Sequence, residues 1–292
     1  MKTSKVDANH HEKVFVRLML QGKVSAALRW VGSQRSGLLE VNDTVLNSLK
    51  DKHPEPGKVF DNALLKGPAV EVEDVIFDAI DADLIQRTAR TVSGGAGPSG
   101  ADAEIWQRIL CSKQFKSKPD QLCGTIAELA RKLCCVVVNP DHIKTYTAGR
   151  LIPLDKGPGA GVRPIGVGEV LRRIVGKAVT SILKPDLVGS TAPIQVCAGL
   201  QGGVEAAIHA MRQMYNDPDC DAVLLVDANN AFNSLNRSVA LNNLKFTCPE
   251  FFKCVLNTYR QTCLCQTQPK PSFPKKGLRK VTQVPWGCMR RA

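Results

Sequence analysis

Acidic side chains stop early in this 292-residue chain: 27 Asp and Glu are spread over it, yet none follows Glu250. Other absences narrow the function further. No apolar run approaches the ~20 residues that a membrane span needs. The opening "MKTSKVDANH" has no apolar core of a secretory signal, so an intracellular protein is expected, nuclear or cytoplasmic. Eleven cysteines are present, but no C-x-x-C; they are scattered, with one adjacent pair, Cys134 and Cys135, and one C-x-C, Cys263 and Cys265. An odd count without ligand spacing speaks against a disulfide framework and against a zinc site, leaving free, buried thiols as the expectation. His209 lies near Glu205 with no partner at metal spacing. No Ser-His-Asp constellation and no internal repeat is visible.

What is abundant is positive charge, and it is unevenly placed. The net charge is +12, but seven of the 39 Lys and Arg fall between Gln261 and Ala292. Without that tail the body carries 32 basic against 27 acidic residues, a net of +5. Charge alone is therefore a weak argument for a nucleic-acid partner.

The pattern along the chain divides it into three parts. Residues 1–90 read as a mainly helical N-terminal region: "VFVRLMLQGKVSAALRWV" and "VEDVIFDAIDADLIQRTARTV" space their apolar residues by three and four, around a Pro/Gly-held loop. Residues 91–260 mix helix and strand. Gly95, Gly97 and Gly100 form a literal G-x-G-x-x-G, but the stretch before it is helical and the dinucleotide fingerprint needs a strand there. A loop with Ser99 or Asp102 capping the next helix is the better reading. Two helices are expected within 103–138, a short strand over 150–154, then a Gly/Pro loop, "VRPIGV" as a rigid turn, and a helix whose apolar face is Val170, Leu171, Ile174, Val175, Ala178, Val179 and Ile182. "GLQGGVEAAIHAMRQMY" reads as a helix, "DAVLLVDA" as a buried strand, and "SVALNNLKF" and "PEFFKCVLNTYR" as two more helices. Residues 261–292, rich in Pro, Lys and Gln, sustain no period and read as a disordered tail.

Two groups of residues could carry chemistry. Asp227 follows the apolar run Val223–Val226, and a carboxylate at the end of a buried strand can hold Mg²⁺ through its oxygens. It could equally cap the turn after that strand. Arg150, Lys156 and Arg163 lie within one loop-rich segment; an arginine fork before a proline suits phosphate capture, and a solvated basic loop is the alternative.

Taken together, "IPLDKGPGAGVRPIGVGEVLRRIVGKAV" and "VLLVDANNAFNSLNR" resemble the reverse transcriptases of non-LTR, LINE-like retrotransposons. In that family a basic fingers strand leads through Arg-Pro-Ile into a helix, and the palm opens on Asp-x-x-x-Ala-Phe/Tyr-Asn/Asp. Asp227, Ala231, Phe232 and Asn233 stand in that register, and "AGPSGAD" looks like the family's glycine loop. The likeness covers roughly residues 90 to 260. It implies an α/β fold, a partial right-hand polymerase of fingers and the start of the palm, and RNA-directed DNA synthesis in a mobile element. By the same analogy Asp227 and the Ala228 carbonyl would bind Mg²⁺, Phe232 would be the steric gate under the incoming sugar, and Lys156 and Arg163 would contact the nucleotide. Arg150, Arg172 and Arg173 would face nucleic acid. The implied partners are an RNA template, a DNA primer and a deoxynucleoside triphosphate, joined by two-metal phosphoryl transfer.

The resemblance breaks at its second half. The family's remaining carboxylates come from a Tyr-x-Asp-Asp hairpin after a Gln-Gly-Asp-Pro turn, and neither occurs here. The chain is therefore not expected to polymerise. Residues Lys276 to Thr282 can be encoded so that the shifted frame reads Gly-Thr-Thr-Gln-Gly-Asp, the missing turn. A frameshift near residues 260–263 would leave a truncated enzyme with an out-of-frame tail. The alternatives are a non-catalytic nucleic-acid-binding protein using the fingers surface and basic tail, and a Mg²⁺-dependent nuclease built on Asp227.

Overall fold

A computed structural model describes residues 8–33, 37–55, 57–68, 70–112, 118–157, 159, 161–191, 195–196, 200–228, 230–260, 265–267 and 281–282. The fold mixes helix and sheet and is mostly helical. It divides into two compact units: Met1–Lys52 with Leu151–Gly166 and Thr267–Lys280, and His53–Arg150 with Val167–Gln266 and Val281–Ala292. Among the described residues no helix is long and apolar enough to cross a membrane.

In the first unit the expected single N-terminal helix is two, α1 (Ala8–Leu20) and α2 (Val24–Ser33). The reason is local. Gly22 adopts φ +69°, and the amides of Gly22 and Lys23 donate to the carbonyls of Met19 and Leu18, the two bonds that close a helix on a left-handed glycine. Asn42 then caps α3 (Asp43–Asp51) by accepting from the Val45 amide at 2.8 Å, which turns Val45 and Leu49 inward. Strand β1 (Gly149–Asp155) pairs with the 37–39 backbone through a Leu38–Leu154 bridge.

The expected rigid turn "VRPIGV" is instead a strand, β2 (Val162–Gly168). Alternation lets Val162 bury while Arg163 stays exposed. The β1–β2 connection is built from backbone: Asp155 Oδ1 accepts the Gly157 amide at 2.9 Å, and the Lys156 amide donates to Gly161 O at 3.0 Å.

The second unit holds the main core. Its 70–92 stretch is not one helix. A 3-10 turn, Asp74–Ala79, buries Phe77, and Asp81 then restarts the chain as α4 (Ala82–Thr91) by accepting from the Leu84 amide at 2.7 Å. Asp102 caps α5 (Ala103–Cys111) in the same way, as one of the two expected caps. Helix α6 (Lys118–Cys135) and the short α7 (Lys144–Thr147) follow. Helix α8 (Val170–Ile182) buries Val170, Ile174, Val175, Ala178 and Val179, the core of the face the sequence singles out, with Leu171 and Ile182 at its margin. Full burial of its branched residues contributes about 2 kcal/mol each.

Helices α9 (Lys184–Thr191), α10 (Gly203–Tyr215), α11 (Ala231–Ser234), α12 (Arg237–Thr247) and α13 (Pro249–Tyr259) complete the helical part. Helix α13 packs on α6 and is fixed there by Asn257. Its Oδ1 accepts from the Val138 amide at 2.9 Å, and its Nδ2 donates to Leu133 O at 2.8 Å and Val136 O at 2.7 Å.

Two expectations fail. "DAVLLVDA" is not a buried strand: residues 221–228 are irregular, with Leu224 at 85%, Leu225 at 78% and Val226 at 84% exposure. Strand propensity needs a neighbouring backbone to pair with, and among the described residues none is paired here. The tail is also not uniformly structureless. β3 (Cys265–Thr267) and β4 (Val281–Thr282) pair antiparallel, with Cys265 opposite Thr282 and Gln266 opposite Val281. Pairing of backbone amides there needs no long apolar period. The rest of 261–292 lies outside the described residues.

Candidate nucleic-acid interface

In the second unit, Val167 and Gly168 at the end of β2 lead through Glu169 into α8. Glu169, between them, is buried, and it spends both carboxylate oxygens on one residue of the glycine loop. The Ser99 amide donates to Oε1 and the Ser99 hydroxyl to Oε2, each at 2.7 Å. Such charge-assisted bonds are short and strong, and they latch residues 94–101 to the start of α8. The close approach explains Gly97: a Cβ there would lie 2.8 Å from Glu169 Cα and 2.9 Å from its N.

Basic residues of α8 complete the latch. Arg173 donates through Nη1 to Ser93 O at 2.7 Å and through Nη2 to Gly95 O. One turn on, Lys177 Nζ reaches Thr91 Oγ1 at 2.9 Å and Thr91 O at 3.2 Å. Gln107 of α5 takes Val92 O at 2.8 Å and Arg90 O at 3.3 Å. The open carbonyls at the end of α4 are thus met by side chains, with cations at the negative end of the helix.

The arginines expected to face nucleic acid therefore differ in what they have left to offer. Arg173 is committed to backbone carbonyls. The Arg172 guanidinium stacks 4.8 Å from the Tyr259 ring centroid. Arg150 is half-buried beside Gly95, and its Nε has no hydrogen-bond partner among the described residues. Lys156 and Arg163, in the first unit, are exposed.

Asp227 and Phe232 are exposed too, Phe232 at 96%. Asn230 turns the chain between them with φ +54°, a left-handed conformation that asparagine tolerates, and its Oδ1 accepts from Asn233 Nδ2 at 2.9 Å. Asn229 lies outside the described residues. Among the described residues no group of three or more His, Cys, Asp or Glu could hold a metal ion. One exposed carboxylate and the Ala228 carbonyl do not make an oxygen shell for two Mg²⁺ ions, so the donor set present does not fit the pair the resemblance implies.

Sequence reasoning missed Glu169 and Asn257. The only signal for the first is a lone acid directly before an apolar helix, 70 residues from the serine it binds. The thiols match the expectation in part: Cys123, Cys134, Cys248 and Cys254 are free and buried, whereas Cys111, Cys135 and Cys220 are free and only half-buried. Burial raises the Cys123 thiol to about 11 and holds the Tyr146 phenol above its ordinary range. His209 is exposed on α10. No protein-family model matches the chain, and no curated protein matches it.

Proposed function

We propose that this chain is the fingers and opening palm of a reverse-transcriptase-like polymerase, one that contacts nucleic acid without transferring nucleotides itself. The observation that carries the reading is the latch. The glycine loop and the "VRPIGVGEVLRR" segment, two of the stretches on which the resemblance rests, are bound to each other by Glu169 and Arg173. Exposed Lys156 and Arg163 leave cationic groups free for phosphate. The lone carboxylate at Asp227 is why catalysis is not assigned.

The test joins binding to activity. Fluorescence anisotropy with an RNA template annealed to a DNA primer should give binding that weakens steeply with salt. Lys156→Ala with Arg163→Ala should reduce the salt slope by about 1 to 2. Primer extension with Mg²⁺ should give no product from the parent chain or from Asp227→Ala. Extension by the parent that Asp227→Ala abolishes would refute the inactive assignment. Absence of binding at about 50 mM salt would refute the nucleic-acid reading itself.

A further inference from the structure

Helix α10 spaces Val204, Ile208, Met211 and Tyr215 by four, three and four residues, the interval at which apolar side chains line one narrow stripe facing another helix. A stripe of this kind on α8 is buried. On α10 it is open: Val204 is 48% exposed, Ile208 59%, Met211 43% and Tyr215 68%. Among the described residues α10 packs closely on no other element. Four large apolar side chains in one register are more than the single exposed residues of an ordinary surface, and they mark a place of contact.

We propose that this stripe joins two copies of the chain, their α10 helices packed antiparallel about a twofold axis. Charge selects the occupant. Glu205 and Arg212, seven residues apart, lie along the same edge of the stripe. Both are exposed, and neither forms an ion pair among the described residues. In an antiparallel pair, that edge of one helix runs beside the same edge of the other in reverse order. Glu205 of each copy therefore comes opposite Arg212 of the other, and the surface is complementary to itself, as a twofold contact demands. Val204 then layers with Tyr215 of the second copy, and Ile208 with Met211. A parallel pair would set each edge against the opposite one, where Ala207 and Met214 have no charge to answer Glu205 and Arg212.

Size sets the strength. The 13 residues of α10 span about 20 Å. A single stripe of that length buries less than the ~800 Å² per copy of a standard interface. Association is therefore weak, with half of the chains paired at about 10–100 μM. The contact needs neither nucleic acid nor metal.

The experiment is sedimentation equilibrium of the full chain from about 5 to about 500 μM. The average mass should rise from one copy toward two as concentration increases. Ile208→Glu, near the centre of the stripe, should raise the dissociation constant at least about tenfold. Its far-UV circular dichroism should match that of the parent, because the side chain replaced is already exposed. Glu205→Arg alone and Arg212→Glu alone should each weaken pairing about three- to tenfold, since both cross pairs become repulsive, and the two together should restore it. A single copy at every concentration would overturn the proposal. So would single and double charge variants that pair alike. A dimer kept by Ile208→Glu but lost in Leu225→Asp would put the contact on the 223–226 run and overturn it as well. The charge exchange is read on exposed side chains, so it decides the matter even if Ile208→Glu perturbs α10.

Discussion

Asn257→Asp changes one nitrogen to one oxygen, and the surroundings of Asn257 make that change severe. The side chain is buried, with Nδ2 donating to the carbonyls of Leu133 and Val136 and Oδ1 accepting from the Val138 amide. Aspartate keeps the accepting oxygen but aims a second oxygen at two carbonyls. Two hydrogen bonds are lost at about 1 kcal/mol each, and the buried acceptors left unpaired cost roughly 1 kcal/mol or more apiece. With the burial of a charge added, the loss at pH 7 exceeds about 4 kcal/mol, a large share of the ~5–15 kcal/mol that holds an ordinary domain. Asn257→Ala removes all three bonds and leaves the two carbonyls and the Val138 amide unpaired but buries no charge, so its cost should be of the same order, about 3–6 kcal/mol, without the pH dependence. A protonated aspartate can donate to one of the carbonyls, so the folded state should hold the proton more tightly than the unfolded chain. Its carboxyl is then raised in the fold, the folded state binds more protons above about pH 4, and the penalty must shrink as pH falls. Urea unfolding of the parent and both variants at about pH 7 and about pH 5 measures this. A midpoint for Asn257→Asp equal to that of the parent, or a penalty that grows on acidification, would refute the clamp.

Gly97→Ala should destabilise by about 2 kcal/mol in the same assay, because the new methyl meets Glu169 backbone rather than a side chain that can move. Glu169→Ala should cost about 2–3 kcal/mol and Glu169→Gln about 1 kcal/mol, since the amide can still pair with both Ser99 groups without the charge; equal losses would show that a neutral amide cannot hold Ser99 and that the latch depends wholly on the charge. Alkaline solution should destabilise the second unit. Cys123, Cys134 and Tyr146 hold their protons more tightly folded than unfolded, so stability is intact below the ordinary thiol range and declines as pH rises through about 9 to 11. A urea midpoint that stays flat over that range would count against the burial. Leu225→Asp should leave the midpoint within about 0.5 kcal/mol of the parent, because that side chain already stands in water; a loss above about 1 kcal/mol would mean that it is buried in the folded chain.

Sequence pattern was most informative where a single helix carries its own signal. The apolar face of α8 recurs at the helical period, and Asp102 sits where a cap belongs, so both could be read from a short window. The break between α1 and α2 was equally local, but periodicity continued across Gly22 and hid it. The latch and the clamp could not be read at all. Ser99 and Glu169 are 70 residues apart, and Asn257 reaches 119 residues back to Val138. Nothing in the local composition near Glu169 or Asn257 distinguishes a buried polar hub from an exposed loop residue. Such hubs exist because a buried backbone group must be paired by something, and the fold decides by what.

The run from Val223 to Asp227 shows the opposite failure, a strong local signal without the contacts that would realise it. Apolar branched residues favour a strand only when a pleated neighbour covers them, and here Leu224, Leu225 and Val226 meet water. Burying three such side chains would contribute about 5–9 kcal/mol, so leaving them open is a standing drive toward pairing. Under the polymerase reading this is where further palm strands would lie, and those strands would also bring the carboxylates that Asp227 lacks. The exposed apolar run and the incomplete metal site would then be one deficiency rather than two. Supplying a sheet partner without acids would cover the apolar run and still leave Asp227 unable to hold two ions. Under that reading, binding of nucleic acid and transfer of nucleotides would be separable. The first would rest on the cations exposed at Lys156 and Arg163, the second on carboxylates of which none follows Glu250.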